Sequence, residues 1–122
     1  MNLQARSIAV IDDDLRVLES LVNLLASFGY KADSYKSAKQ FLGSGRLSLT
    51  HCIITDVEMQ QMSGLDLLRH LKRSNCAVPV IIITGKPSER SAAYYLENGA
   101  AGFFRKPVDS DALLKLIGSV CT

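Results

Sequence analysis

The spacing of apolar residues changes period several times along the chain. Ser7–Ile11, Cys52–Thr55 and Val80–Thr84 are short runs rich in Ile and Val, the pattern of strands buried on both faces. Lys31–Tyr35 and Gly102–Arg105 are weaker strand candidates. Helical patterns lie between them. In Leu15–Phe28, residues Val17, Leu18, Leu21, Leu24, Leu25 and Phe28 share one face, and Gly29 supplies the stop. Ser37-Ala38-Lys39-Gln40 matches a capping box and opens a short helix that Gly43 ends. Gly64–Ser74 gathers Leu67, Leu68 and Leu71 on one side. Ser88–Asn98 starts after Pro87 and stops at Gly99. There Ala93 and Leu96 fit a buried stripe, which turns Tyr94 outward and leaves Tyr95 partly covered. The last helix follows Pro107, capped by Asp109 or Ser110, and buries Leu113, Leu114, Ile117 and Val120.

Five strands alternating with five helices in 122 residues imply parallel strands joined by right-handed helical crossovers. The expected fold is α/β, a doubly wound five-stranded parallel sheet with helices on both faces, spanning residues 1–122 as a single domain. An open sheet of this kind places its site at the carboxyl ends of the strands. Polar residues do collect there: Asp12-Asp13-Asp14 after the first strand, Asp56 at the third, Thr84 at the fourth and Lys106 after the fifth.

One acid after a strand is commonly a helix cap, and Asp14 taken alone reads that way. Three consecutive acids repel one another and raise each other's pKa, and a cation resolves the conflict. Hard oxygen ligands with room left for water and phosphate oxygens suit Mg²⁺, so Asp12 and Asp13 read as a metal site. A carboxylate beside that cation stays ionised and can attack phosphorus, which makes Asp56 a candidate phosphoacceptor. Lys106, aimed inward by the turn that Pro107 fixes, would add a second positive charge. The Thr84 hydroxyl can donate to a phosphoryl oxygen.

Composition narrows the setting. Hydrophobic residues at 48% and charged residues at 21% suit a soluble globular chain. No apolar run approaches the ~20 residues of a membrane helix, and no basic-then-apolar leader opens the chain, so the expected location is the cytoplasm. Cys52, Cys76 and Cys121 show no Cys-x-x-Cys pair and read as free thiols of a reducing compartment. A net charge of +2 gives no concentrated basic face, so direct nucleic-acid binding by this domain is not expected. His51 and His70 lie apart in the pattern and do not read as ligands.

With these residues placed, the chain closely resembles the receiver domains of bacterial two-component response regulators over residues 6–120. The resemblance rests on Asp12-Asp13, on Asp56 with Met59 and Met62-Ser63-Gly64, on Thr84-Gly85, and on Gly99-Ala100-Ala101-Gly102-Phe103 leading to Lys106-Pro107. It implies a flavodoxin-like (βα)5 fold and a phosphorelay role, accepting a phosphoryl group from a sensor histidine kinase on Asp56. By the same resemblance Asp13 and Asp56 bind Mg²⁺ through carboxylates, Asp12 acts through water, and Glu58 offers its backbone carbonyl. Thr84 and Lys106 would contact the phosphoryl group. Phe103 holds the switch-aromatic position, so Thr84 and Phe103 would carry the signal to the surface of the fourth helix, fifth strand and fifth helix. The implied partners there are a second receiver, in a phosphorylation-promoted homodimer, or a C-terminal DNA-binding output domain outside this chain that serves transcription regulation. Gln60 stands where the family usually has Pro. Glu58 and Lys86 are expected to flank the route of the water that removes the phosphoryl group.

Three other readings share some of these features. A haloacid-dehalogenase-like phosphatase would use Asp12 and Asp14 as nucleophile and acid, but Arg16 breaks its pattern and Asp56 is left idle. An FMN-binding module needs a phosphate-cradling loop after the first strand, where three carboxylates stand instead. A receiver-shaped interaction domain that is never phosphorylated would not need the full set of reactive groups.

Overall fold

A computed structural model describes residues 6–59, 61–85 and 90–121. Five strands, β1 (Ser7–Ile11), β2 (Lys31–Tyr35), β3 (Cys52–Asp56), β4 (Val80–Thr84) and β5 (Gly102–Arg105), form one parallel sheet in the order β2-β1-β3-β4-β5. Every residue of β3 and β4 is buried, which is why these strands read as unbroken apolar runs. The third strand runs one residue past its expected end, to Asp56. The ladder continues there, with the Val57 N–H donating to the Ile83 carbonyl at 3.0 Å.

Five helices cover the sheet: α1 (Leu15–Ser27), α2 (Ala38–Gly43), α3 (Gly64–Arg73), α4 (Ala92–Glu97) and α5 (Ser110–Val120). Leu18, Leu21 and Leu25 of α1 and Leu113 and Ile117 of α5 pack on one face, over Ile8, Val10, Ile54, Ile81 and Ile83. Phe41 of α2, Leu67, Leu68 and Leu71 of α3, and Tyr95 of α4 pack on the other, over Ile11, Ile53 and Ile82. None of the described helices is long and apolar enough to cross a membrane. The three cysteines are free thiols.

Local signals account for most helix ends. Gly29 takes the left-handed conformation (φ 87°) after α1, as its position predicts. Gly43, in contrast, is the last helical residue of α2; the left-handed turn falls on Gly45 (φ 73°), and Ser44 closes the helix by donating its hydroxyl to the Phe41 carbonyl at 2.6 Å. Asp109, not Ser110, caps α5 by accepting the Ala112 N–H. A 3₁₀ turn at Leu47–Leu49 had no signal in the apolar spacing.

The fourth helix differs most from expectation. It runs from Ala92, capped by Ser91; Ser88 and Pro87, where a start was expected, lie outside the described residues. Its inward residue is Tyr95, 2% exposed, while Ala93 and Leu96 face solvent. The Tyr95 ring stacks on Phe103 of β5, centroids 5.3 Å apart and planes 13° apart. In a helix under two turns long only one narrow face reaches the sheet, and the ring of Tyr95 takes it with Phe103 as its stacking partner.

Gly64 has a steric reason. Its N–H donates to the Val57 carbonyl at 2.9 Å, and a Cβ there would run into the Asp56 carbonyl oxygen and lie 3.1 Å from its carbon. Only glycine lets α3 start this close to the end of β3. Gly64→Ala should therefore cost about 1–3 kcal/mol of stability, read as a lower denaturation midpoint. An unchanged midpoint would show that α3 has room to retreat.

Candidate functional site

The β1–α1 connection builds one side of the site. The Asp12 N–H donates to the Tyr35 carbonyl at 3.1 Å, which holds this residue in line with the sheet edge and buries it completely. Its carboxylate accepts the Asp14 N–H on Oδ1 at 2.9 Å and the Lys106 Nζ on Oδ2 at 2.8 Å. Asp14 uses its own carboxylate as the cap of α1, accepting the Arg16 N–H at 2.9 Å. Asp13 is exposed. Across the sheet, Asp56 closes β3 and is 7% exposed. One carboxylate oxygen from each of Asp12, Asp13 and Asp56 lies within 4.8 Å of the others, a cluster that could hold a metal ion.

Lys106 is placed from the opposite side. Its N–H donates to the Thr84 carbonyl at 2.8 Å, and its stem crosses Gly85, where an added Cβ would sit 3.2 Å from Cδ. The Thr84-Gly85 pair thus both anchors the lysine and leaves space for its chain. The ammonium ion-pairs with Asp12 at 2.8 Å and Asp56 at 3.6 Å. The Lys106–Pro107 peptide is cis. Thr84, 2% exposed, and Glu58 complete the lining of a hollow of about 300 Å³ around these groups.

Charge is distributed unevenly here. Burial pushes the Asp56 carboxyl up to about 6, with the Asp12 and Asp13 charges adding to the rise and Lys106 opposing it. Burial alone would lower the proton affinity of Lys106, but its hydrogen bond to Asp12 and the surrounding carboxylates hold it above the ordinary lysine value. The repulsion expected among the acids is thus already partly relieved by a side chain of the protein. Lys106 pairs closely with Asp12 and at a longer distance with Asp56, and Asp14 is a cap. The Asp56 carboxyl stays raised even with Lys106 at hand, and a cation bound at the acidic cluster would offset its charge.

Phe103 does not line the hollow. It sits beside Ile82 in the β4–β5 register, on the same sheet face as Thr84, and stacks on Tyr95. The apolar spacing placed Tyr94 outward but missed the inward turn of Tyr95 onto Phe103, and the Tyr94 hydroxyl accepts from the Arg69 Nη2 of α3 at 2.7 Å. The adjacent tyrosines of α4 were the signal that could have found that turn. Gln60 and Lys86 lie outside the described residues. His51 accepts the Ser7 N–H on Nδ1 at 3.0 Å, a structural contact.

The family model of the response regulator receiver domain matches residues 8–118. The chain belongs to this family. It is 38% identical over 117 residues to the response regulator protein TodT of Pseudomonas putida, covering 96% of this chain and 52% of TodT. It is 40% identical over 108 residues to the transcriptional regulatory protein FixJ of Azorhizobium caulinodans, covering 88% of this chain and 51% of FixJ. The crystal structure of a response regulator receiver domain protein from Clostridium thermocellum superposes with a TM-score of 0.87 at 30% identity, over 95% of this chain and 94% of that one. The chain spans about half the length of the curated relatives it matches. Receiver domains of response regulators are signalling proteins of two-component systems, and the doubly wound α/β sheet read from the sequence is their fold. The dehalogenase-like reading loses its acid, because Asp14 is engaged as a helix cap.

Proposed function

We propose that this receiver domain, folding as one unit over residues 1–122, takes a phosphoryl group from a sensor histidine kinase onto Asp56. The observation that carries this reading is the position of the Asp56 carboxylate. It ends β3 beside two further carboxylates and 3.6 Å from the Lys106 ammonium. The donor set is all hard oxygen and fits Mg²⁺, which Asp13 and Asp56 would hold directly, with Asp12 acting through water and Glu58 offering its backbone carbonyl. When bound, that ion offsets the charge of the phosphoryl oxygens.

The chain's own groups do the rest. An Asp56 carboxylate oxygen attacks phosphorus, the new O–P bond forms as the bond to the kinase imidazole breaks, and the imidazole leaves with the bonding pair. Lys106 moves its ammonium from the Asp12 carboxylate to a phosphoryl oxygen, and the buried Thr84 hydroxyl donates to another. The domain catalyses only its own phosphorylation and dephosphorylation. Incubation with acetyl phosphate should add one phosphoryl group to the chain when Mg²⁺ is present and none when EDTA replaces it, as read by intact mass. Equal uptake in EDTA would overturn the metal assignment.

The output surface follows from the same site. Drawing the Thr84 hydroxyl inward vacates space behind it on the Phe103 face, and the change is read at α4, β5 and α5. Leu96 of α4 is 48% exposed there and Tyr94 is half-buried. A second phosphorylated copy, or a DNA-binding output domain in a longer chain acting in the cytoplasm, covers this surface. Beryllofluoride should therefore raise the sedimentation coefficient of the full chain, and Leu96→Ala should weaken the effect. No association at any protein concentration would leave a monomer that signals to another protein.

A further inference from the structure

Far from the acidic hollow, two of the three cysteines pack into one apolar cluster, near enough for each thiol to act on the other. Cys52 opens β3 and is fully buried, on the sheet face covered by α1 and α5. Cys121 caps the other end of the chain's last helix, its N–H donating to the Ile117 carbonyl at 2.8 Å. It is partly exposed and packs against the same cluster that contains Cys52. Cys76 packs against the cluster on the opposite face of the sheet, so the sheet itself separates it from this pair. Cys52 and Asp56 are the two ends of one strand, about 13 Å apart at 3.3 Å per residue, so neither site obstructs the other.

We propose that Cys121 and Cys52 form a reversible disulfide, driven by hydrogen peroxide, that fastens the end of α5 to the start of β3. The two thiols have different roles. Cys121 is the one of the two that solvent reaches, and the hydrogen bond from Cys52 holds its thiol below the ordinary cysteine value, with Arg6 assisting against the effect of burial. Its thiolate, the nucleophilic form, is therefore more accessible than that of an ordinary cysteine. Cys52 is kept protonated by its hydrogen bond to Cys121, by burial and by the charge of the neighbouring sulfur. In the first step the Cys121 sulfur attacks one peroxide oxygen. The S–O bond forms as the O–O bond breaks, and the departing oxygen leaves as water, giving a sulfenic acid. The charge that held the Cys52 proton is then gone. In the second step the Cys52 sulfur attacks the sulfenic sulfur; the S–S bond forms, the S–O bond breaks, and hydroxide leaves with the Cys52 proton as water. Two thiols and one peroxide give one disulfide and two waters, each sulfur losing one electron.

The test treats the full chain with hydrogen peroxide, blocks remaining thiols by alkylation after unfolding, and maps the peptides. The expected product has lost two hydrogens, carries a Cys52–Cys121 link with Cys76 alkylated, and returns to three thiols with dithiothreitol. Cys76→Ser should leave the link intact and Cys121→Ser should abolish it. Cys52→Ala should stop the reaction at a Cys121 sulfenic acid, trapped by dimedone. If that core variant does not fold, peptide mapping of the wild type decides alone. Further oxidation of Cys121 while Cys52 remains alkylatable, a link through Cys76 or to a second chain, or no reaction in excess peroxide would each overturn the proposal.

Discussion

Asp56→Asn should abolish phosphoryl uptake and, in metal-free buffer at pH 7, make the protein more stable than wild type. The first effect follows from chemistry: an amide offers no useful nucleophilic oxygen in place of a carboxylate. The second follows from the cost of the charge. The Asp56 carboxyl lies at about 6 in the fold, against 3.8 for the model compound, because burial and the neighbouring acids disfavour its ionised form. A carboxyl raised by folding carries its full relative stability below about pH 4 and loses it as pH rises through about 6. Two units correspond to about 2–3 kcal/mol. The stability difference between variant and wild type should therefore open between pH 4 and pH 6 and level off above, in urea titrations with a chelator present. A difference independent of pH would mean that Asp56 is not the strained charge. Mg²⁺ should raise the melting temperature of wild type more than that of the variant.

Lys106→Met should destabilise the protein by about 2–4 kcal/mol, because it leaves a buried carboxylate without its cation. The Asp12 side chain is fully buried and that of Lys106 is only 21% exposed, so each charge gives up most of its hydration and depends on the other. The Asp14 N–H still donates to Asp12 but carries no full charge. Adding Asp12→Asn to Lys106→Met should recover more than half of the loss, since removing both members of a pair costs less than orphaning one. Additive losses in the double variant would show that the two residues act separately. The same lysine variant should also slow phosphoryl uptake, because the second positive charge on the phosphoryl oxygens is gone.

The parts of this molecule that the sequence reveals are those set by local rules. β3 and β4 read as strands because positions covered on both faces are almost all apolar, and the candidate site groups stand out as polar residues at the strand ends, with Thr55 the one other polar side chain in these two strands. Asp14 reads correctly as a cap for a similar local reason. The parts that stayed hidden depend on distant partners. Nothing near Ala92–Glu97 announces that Tyr95 turns inward; the decision is made by Phe103 across the sheet edge. Nothing near Asp12 announces that Lys106 neutralises it, so like-charge repulsion looked stronger there than it is. Cys52 and Cys121 are far apart in the chain and come together only when α5 docks beside β3.

The central claim is that Asp56, and not another of the clustered acids, receives the phosphoryl group. Reduction of the freshly phosphorylated chain with borohydride converts an aspartyl phosphate to homoserine and marks the reacted position permanently. Peptide sequencing should then find homoserine at position 56 and aspartate at 12, 13 and 14. Homoserine at position 12, with position 56 unchanged, would contradict the account and restore the phosphatase reading.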